Sequence, residues 1–157
     1  MRIIFDNIQY DDLLVLKNGN LIFDYGKTTV ISGESGREKT SLLYRLVHIS
    51  ESRDFEYYLL GQDINKLSNT EQSLIRKDYI TFITQDNMLF EHYDVLGNLK
   101  IYSQINNRKY SEKEYQDILH IVGLNIPFHQ SIDTLSGGQK QRLAIVCAMC
   151  KDTQLLF

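Results

Sequence analysis

The chain has 157 residues, 43% of them hydrophobic and 24% charged, a composition that supports one packed core and argues against disorder. Its net charge of −3 supplies no general attraction to nucleic acid or to an anionic membrane surface. No apolar run approaches the roughly 18–20 residues needed to cross a bilayer and no secretory leader is visible, so a cytoplasmic protein is expected.

Taken in order, segments 2–8 and 20–24 read as strands flanking a polar turn, and Tyr25-Gly26 as a second turn. The run Thr28-Thr-Val-Ile-Ser32 is β-branched and suits a buried strand. A glycine-containing loop at 33–38 leads into a helix from Lys39 to about His48, with Leu42, Leu43, Leu46 and Val47 apolar. Segment 57–60 is a short strand ended by Gly61. Ser68 and Glu71 have the spacing of a capping box that opens a helix to Lys77, and Ile80–Thr84 reads as a strand ending at Gln85. Residues 86–134 are more polar and helical. They include a second capping box at Ser111 and Glu114, whose helix runs to Val122 and is closed by Gly123. A last helix, from about Gly137 to Met149, takes Ser136 as its N-cap. Leu143, Val146, Cys147 and Cys150 recur on one face of it. The two cysteines, though spaced as C-x-x-C, therefore read as buried core thiols rather than a redox or zinc pair.

Two segments carry chemistry. Gly33-Glu-Ser-Gly-Arg-Glu-Lys-Thr-Ser41 joins an extended run to the start of a helix. Such a loop offers consecutive backbone N–H groups to phosphate oxygens, a lysine to the β and γ oxygens, and a hydroxyl to Mg²⁺. Leu135-Ser-Gly-Gly-Gln-Lys-Gln-Arg142 places two glycines in the first turn of a serine-capped helix. Glycines admit an anion close to the backbone amides, and the helix N-terminus adds partial positive charge there.

These two segments, in this order, resemble the Walker A loop and the signature motif of the ATP-binding cassette (ABC) ATPases. The resemblance extends to Tyr10, Gly26, Gly61-Gln-Asp-Ile64 and Ile80-Thr-Phe-Ile-Thr-Gln85, and covers nearly the whole chain. It implies an α/β fold: a P-loop NTPase (RecA-like) core with an N-terminal antiparallel β region and an inserted α-helical subdomain, lacking the C-terminal strands of the full fold. The chain is then a single partial domain. Residues 1–85 hold the P-loop core and β region, 86–134 the helical subdomain, and 135–157 the signature helix and the start of the Walker B strand.

ATP and Mg²⁺ are the cofactors this resemblance implies. Lys39 would hold phosphate, Thr40 and Gln85 would contact Mg²⁺, and Gly33, Ser35, Gly36 and Ser41 would shape the cradle. Tyr10 would stack on adenine. Leu135, Ser136, Gly137, Gly138 and Gln139 would reach the γ-phosphate held by a second ATP-binding subunit in a dimer. Gln85 would relay nucleotide state to a membrane-spanning transporter subunit, which would hold this chain on the inner face of the cell membrane. Met88, Leu89, Phe90 and Tyr93, within 86–98, are either the docking surface for that partner or ordinary subdomain core. The signature phrase looks most like bacterial cassettes of the peptide-, lipoprotein- or macrolide-export type. The acidic balance and the lack of a coiled-coil insertion speak against a nucleic-acid partner.

Three departures qualify the resemblance. Glu38 stands where the loop pattern has glycine, which brings backbone strain and like-charge repulsion toward a polyphosphate. Val146 and Cys147 stand where the family usually has alanine and arginine. The Walker B aspartate, its neighbouring glutamate and the switch histidine have no counterpart within the 157 residues, and His48, His92, His120 and His129 all precede or lie outside that region. The expectation is a transporter ATP-binding subunit, truncated and deficient in hydrolysis. The alternative is a degenerate cassette or gene fragment that binds nucleotide weakly or acts as a regulatory partner.

Overall fold

An antiparallel hairpin starts the chain in this computed structural model, which describes residues 2–10, 14–23, 26–34, 39–47, 56–59 and 61–157. Strands β1 (Arg2–Tyr10) and β2 (Leu14–Ile22) pair in one constant register from Arg2↔Ile22 to Tyr10↔Leu14. The second strand thus begins at Leu14 rather than at residue 20. Asn18-Gly-Asn20 has turn composition, but Phe5↔Gly19 and Ile4↔Asn20 hold it inside the ladder, where cross-strand pairing outweighs local preference. Strand β3 (Glu56–Leu59) joins the other edge of β1, and β4 (Gln62–Asp63) folds back on β3, for the order β2-β1-β3-β4. The β3–β4 turn passes through Gly61 at φ +82°, a left-handed backbone that glycine adopts at little cost.

The expected strand at 28–32 does not form. Residues 27–34 carry no regular structure and Val30 is 81% exposed. A β-branched run becomes a strand only where a neighbouring ladder takes up its N–H and C=O groups, and no described ladder reaches this one. Helix α1 (Lys39–Leu46) then buries Leu42, Leu46 and the following Val47, and ends slightly before the expected His48. Helix α2 (Asn69–Tyr79) opens on the anticipated box: the Ser68 amide donates to Glu71 Oε2 at 2.8 Å, and the Glu71 amide donates to Ser68 Oγ at 3.3 Å. Gln72 is buried and donates to the carbonyls of Ile64 and Leu67, fastening the single 3-10 turn at 64–66 to this helix.

Two compact units result, Met1–Leu74 and Ile75–Phe157. In the second, β5 (Ile80–Thr81) pairs in parallel with β6 (Leu155–Leu156). The regular ladder is shorter than the expected 80–84. Hydrogen bonds from Phe157 N to Thr81 O and from Ile83 N to Phe157 O nevertheless carry the contact further along. Helices α3 (Val95–Ile105), α4 (Glu112–Ile121) and α5 (Gly137–Lys151) enclose a core in which Val95, Leu99, Leu119, Ile132, Leu143 and Val146 are fully buried. Cys147 and Cys150 belong to that core, as their helical spacing implies. Burial pushes the Cys150 thiol up to about 12 and that of Cys147 well above its usual range, so both stay protonated and inert.

The second capping box also forms, between Ser111 and Glu114. At the other end of α4, Gly123 at φ +67° donates to His120 O while Leu124 donates to Leu119 O. This pair of bonds is a Schellman closure, which satisfies carbonyls the helix leaves over.

Candidate functional site

The loop that ends at α1 is drawn together by its lysine. Lys39, the first residue of α1, sends its ammonium back to the carbonyls of Gly33 at 2.9 Å and Glu34 at 2.6 Å. An ammonium has three N–H donors, and these two bonds use two of them among the described residues. The unpaired amides of the first helical turn face the same end of α1, together with its partial positive charge. Thr40 is exposed in that turn and Ser41 follows it. Among the described residues, a Cβ on Gly33 would meet the Lys39 stem at an ordinary 3.8 Å. Ser35, Gly36 and Glu38 lie outside the described residues. Tyr10 is the last residue of β1, paired across the hairpin with Leu14.

The signature segment is a second anion-ready helix start, in the second unit. Leu135 is buried in the core and anchors the segment, with its amide bonded to Ile132 O. Ser136 is an extended N-cap: its Oγ accepts from the Gln139 amide at 3.3 Å, while its own amide donates to Gln139 Oε1 at 2.8 Å. This third capping box uses the Ser136 oxygen as acceptor and leaves the hydroxyl proton available to donate outward. Gly137 and Gly138 are exposed, and a Cβ built on either meets nothing within 4 Å. Their amides have no intrahelical partner, as at any helix start. Two free N–H groups, one hydroxyl and the positive end of a 15-residue helix therefore converge on open space. Arg142 braces this helix, its Nη1 donating to Gly123 O at the end of α4 at 3.0 Å.

Gln85 is exposed just beyond β5, in a turn at 85–88. After it comes a loop that is part surface and part core. Leu89 packs against the core, whereas Met88, Phe90 and Tyr93 are 56%, 44% and 52% exposed. Phe90 stands edge-on to Tyr93 with ring centres 6.3 Å apart, and the Tyr102 hydroxyl donates to Met88 O at 2.7 Å. Asn98 is fully buried beneath the loop. Its Oδ1 accepts from Phe90 N at 2.8 Å, and its Nδ2 donates to the carbonyls of Phe90 and Asp94 at 3.0 Å each.

Asp94 completes the arrangement, and sequence reasoning had missed both it and Asn98. One Asp94 oxygen caps α3 by accepting from Gly97 N at 2.7 Å, and the other pairs with His129 Nδ1 at 2.9 Å. The hydrogen bond from His129 holds the Asp94 carboxyl below its ordinary range. Val95 N donates to Gln130 O and Leu96 N to Phe128 O, so the segment running into Ser136 is laced to the start of α3. The available signals were an aspartate just before an apolar helix and a lone asparagine within it.

Comparison with known proteins places this geometry. Residues 16–157 match the family model described as ABC transporter. An uncharacterized ABC transporter ATP-binding protein of Methanocaldococcus jannaschii is 30% identical over 92% of this chain and 65% of its own length. A lipoprotein-releasing system ATP-binding protein of Protochlamydia amoebophila is 31% identical over 91% of this chain and 64% of its own. The chain thus spans just under two thirds of these curated relatives. Among solved structures, a dimeric ATP-binding cassette in a post-hydrolysis state bound to ADP and Pi superposes with a TM-score of 0.78. It is 25% identical, and the match covers 99% of this chain and 72% of that one. A match over residues 16–157, with the shared cassette fold, shows that this chain belongs to the ABC transporter ATP-binding family.

Proposed function

We propose that this chain supplies the nucleotide-binding and signature elements of a transporter ATPase subunit, cytoplasmic and held on the inner face of the cell membrane by a membrane-spanning partner. The single observation that carries the reading is the signature turn, with its Ser136–Gln139 capping box and the open glycine amides beside it. Lys39, Thr40 and Ser41, with Gly33, Ser35 and Gly36, hold the phosphates of ATP, and Tyr10 stacks on its base. Mg²⁺ suits the oxygen donors of Thr40 and Gln85 only with phosphate oxygens completing its shell, because those two side chains are neutral. Leu135 to Gln139 meet the γ-phosphate on a second ATP-binding subunit. The half-exposed Met88, Phe90 and Tyr93 receive the membrane partner, and Asn98 and Asp94 link that surface to the segment entering Ser136. Relatives named for lipoprotein release and macrolide export support an export-type role.

A second reading rests on Glu38. A carboxylate at that point of the loop favours a weakly binding, non-catalytic half that pairs with an intact subunit.

Titration with a fluorescent ATP analogue tests the proposal. Saturable binding is expected, lost by Lys39→Ala and tightened on the order of tenfold by Glu38→Gly, since strain of this kind costs about 1–3 kcal/mol. No gain from Glu38→Gly removes the argument from strain. Binding indifferent to Lys39→Ala removes the nucleotide site.

A further inference from the structure

A pocket of about 430 Å³ opens in the second unit, between the end of α3, the following turn and α4. Its chemistry runs against the rest of the chain. Lys100, Arg108 and Lys109 line it with no carboxylate among the lining side chains, although the whole sequence has 20 acidic residues to 17 basic. Arg108 is paired with Asp152 and Lys100 acts on the Asp94 carboxyl, but neither lysine forms an ion pair among the described residues. The turn that carries these cations is built in place. Asn107 sits at φ +56° and donates to Gln104 O while Arg108 N donates to Ser103 O, a closure of α3 that brings Arg108 and Lys109 back beside Lys100.

The floor is dry, polar and uncharged. Ser103 and Tyr115 are 1% and 2% exposed, their hydroxyls lie 2.8 Å apart, and Ser103 Oγ donates to Lys100 O. Both hydroxyl protons are thereby committed within the protein, and no carboxylate is among the lining residues. One wall is aromatic: Tyr110 leans on Tyr115 with ring centres 5.4 Å apart, and its half-buried ring faces the pocket. The volume falls within the range of small-molecule sites, which combine apolar or aromatic walls with a few placed polar groups. A cationic rim calls for an anion, and a tyrosine wall for a flat ring.

We infer that this pocket binds a small aromatic phosphate, with the phosphate between Lys100 and Lys109 and the ring against Tyr110. Its lining shares no residue with the loop at Gly33–Ser41, and the inference is independent of the function proposed above.

Fluorescence titration of the full chain with 1-naphthyl phosphate is the test. Saturable binding is expected at sub-millimolar concentration, weakened about tenfold by the combined Lys100→Ala and Lys109→Ala replacement, as loss of charge-assisted contacts implies. Lys39→Ala should leave it unchanged, and inorganic phosphate should compete. Tyr110→Leu should weaken the naphthyl compound while leaving inorganic phosphate binding intact. Lys100 and Lys109 are exposed and Lys39 and Tyr110 half-buried, and circular dichroism checks that each variant folds. Absence of saturable binding overturns the inference. So does binding that survives the double lysine replacement, or binding lost with Lys39→Ala, which would put the ligand on the ATP loop.

Discussion

Asn98 is a polar side chain in the otherwise apolar start of α3, and the exposed loop above it depends on its carboxamide. Both ends of that group are used: the oxygen takes the Phe90 amide, and the nitrogen serves the carbonyls of Phe90 and Asp94. Truncation would leave Phe90 N without its partner and remove one of two bonds from each carbonyl, since Phe90 O keeps Tyr93 N and Asp94 O keeps Asn98 N. Asn98→Ala is therefore expected to cost about 1–3 kcal/mol in a urea unfolding titration, the range for one buried donor left unpaired. Asn98→Asp should rescue little, since a carboxylate can accept from Phe90 N but cannot donate to the two carbonyls. A loss below about 0.5 kcal/mol in either variant would show that the loop is held some other way. Gly97 belongs to the same arrangement. A Cβ there would come within 3.0 Å of Tyr93, so the glycine buys the close approach of the loop to the helix.

At the scale of elements, what could be read in the chain depended on whether the partners were local. Ser68 with Glu71, Ser111 with Glu114 and Ser136 with its helix each satisfy amides three residues away, and all three caps form as the spacing implies. The cysteine face of α5 was legible for the same reason: its spacing is a property of one helix. Strands were less so. Thr28–Ser32 has strand composition but no described ladder, while Asn18-Gly-Asn20 has turn composition and lies within one. Asp94 and His129 escaped notice because 35 residues separate them. For α5 the cap and the ligand roles of Ser136 can be told apart. Ser136→Ala should destabilise by about 1 kcal/mol and Ser136→Gly by only a few tenths, because glycine tolerates the N-cap backbone. Thermal unfolding by circular dichroism measures both. Equal losses would mean that the Ser136 hydroxyl, rather than the cap backbone, carries the stability of the turn.

Across the whole molecule, the titrating groups divide into two sets that bound the pH range of stability. Glu71, Glu114 and Asp94 are held below their ordinary values, chiefly by hydrogen bonds from Ser68, Ser111 and His129. A carboxylate with a depressed folded value stabilises above its unfolded pKa, and that contribution is lost as pH falls through the folded one. Tyr57, Cys147, Cys150 and Tyr102 are displaced the other way by burial, Cys150 and Tyr102 to about 12. Their contribution is complete below the unfolded values and declines as pH rises, because only the unfolded chain ionises freely there. Lys151 opposes them, since burial lowers its value and its cation is disfavoured until pH rises. Tyr110 and Tyr115 are raised by burial as well, so the buried tyrosines and thiols outweigh that one lysine and leave a net alkaline loss. Urea midpoints should be nearly flat from about pH 5 to 8, then fall below roughly pH 4 and above roughly pH 9. Replacing Glu71 and Glu114 together by glutamine separates cap from charge. Glutamine keeps an oxygen for each serine amide but does not titrate, so the acid limb should become shallower, leaving mainly the Asp94 contribution. An acid limb unchanged by that double replacement would mean that the two capping boxes play no part in it.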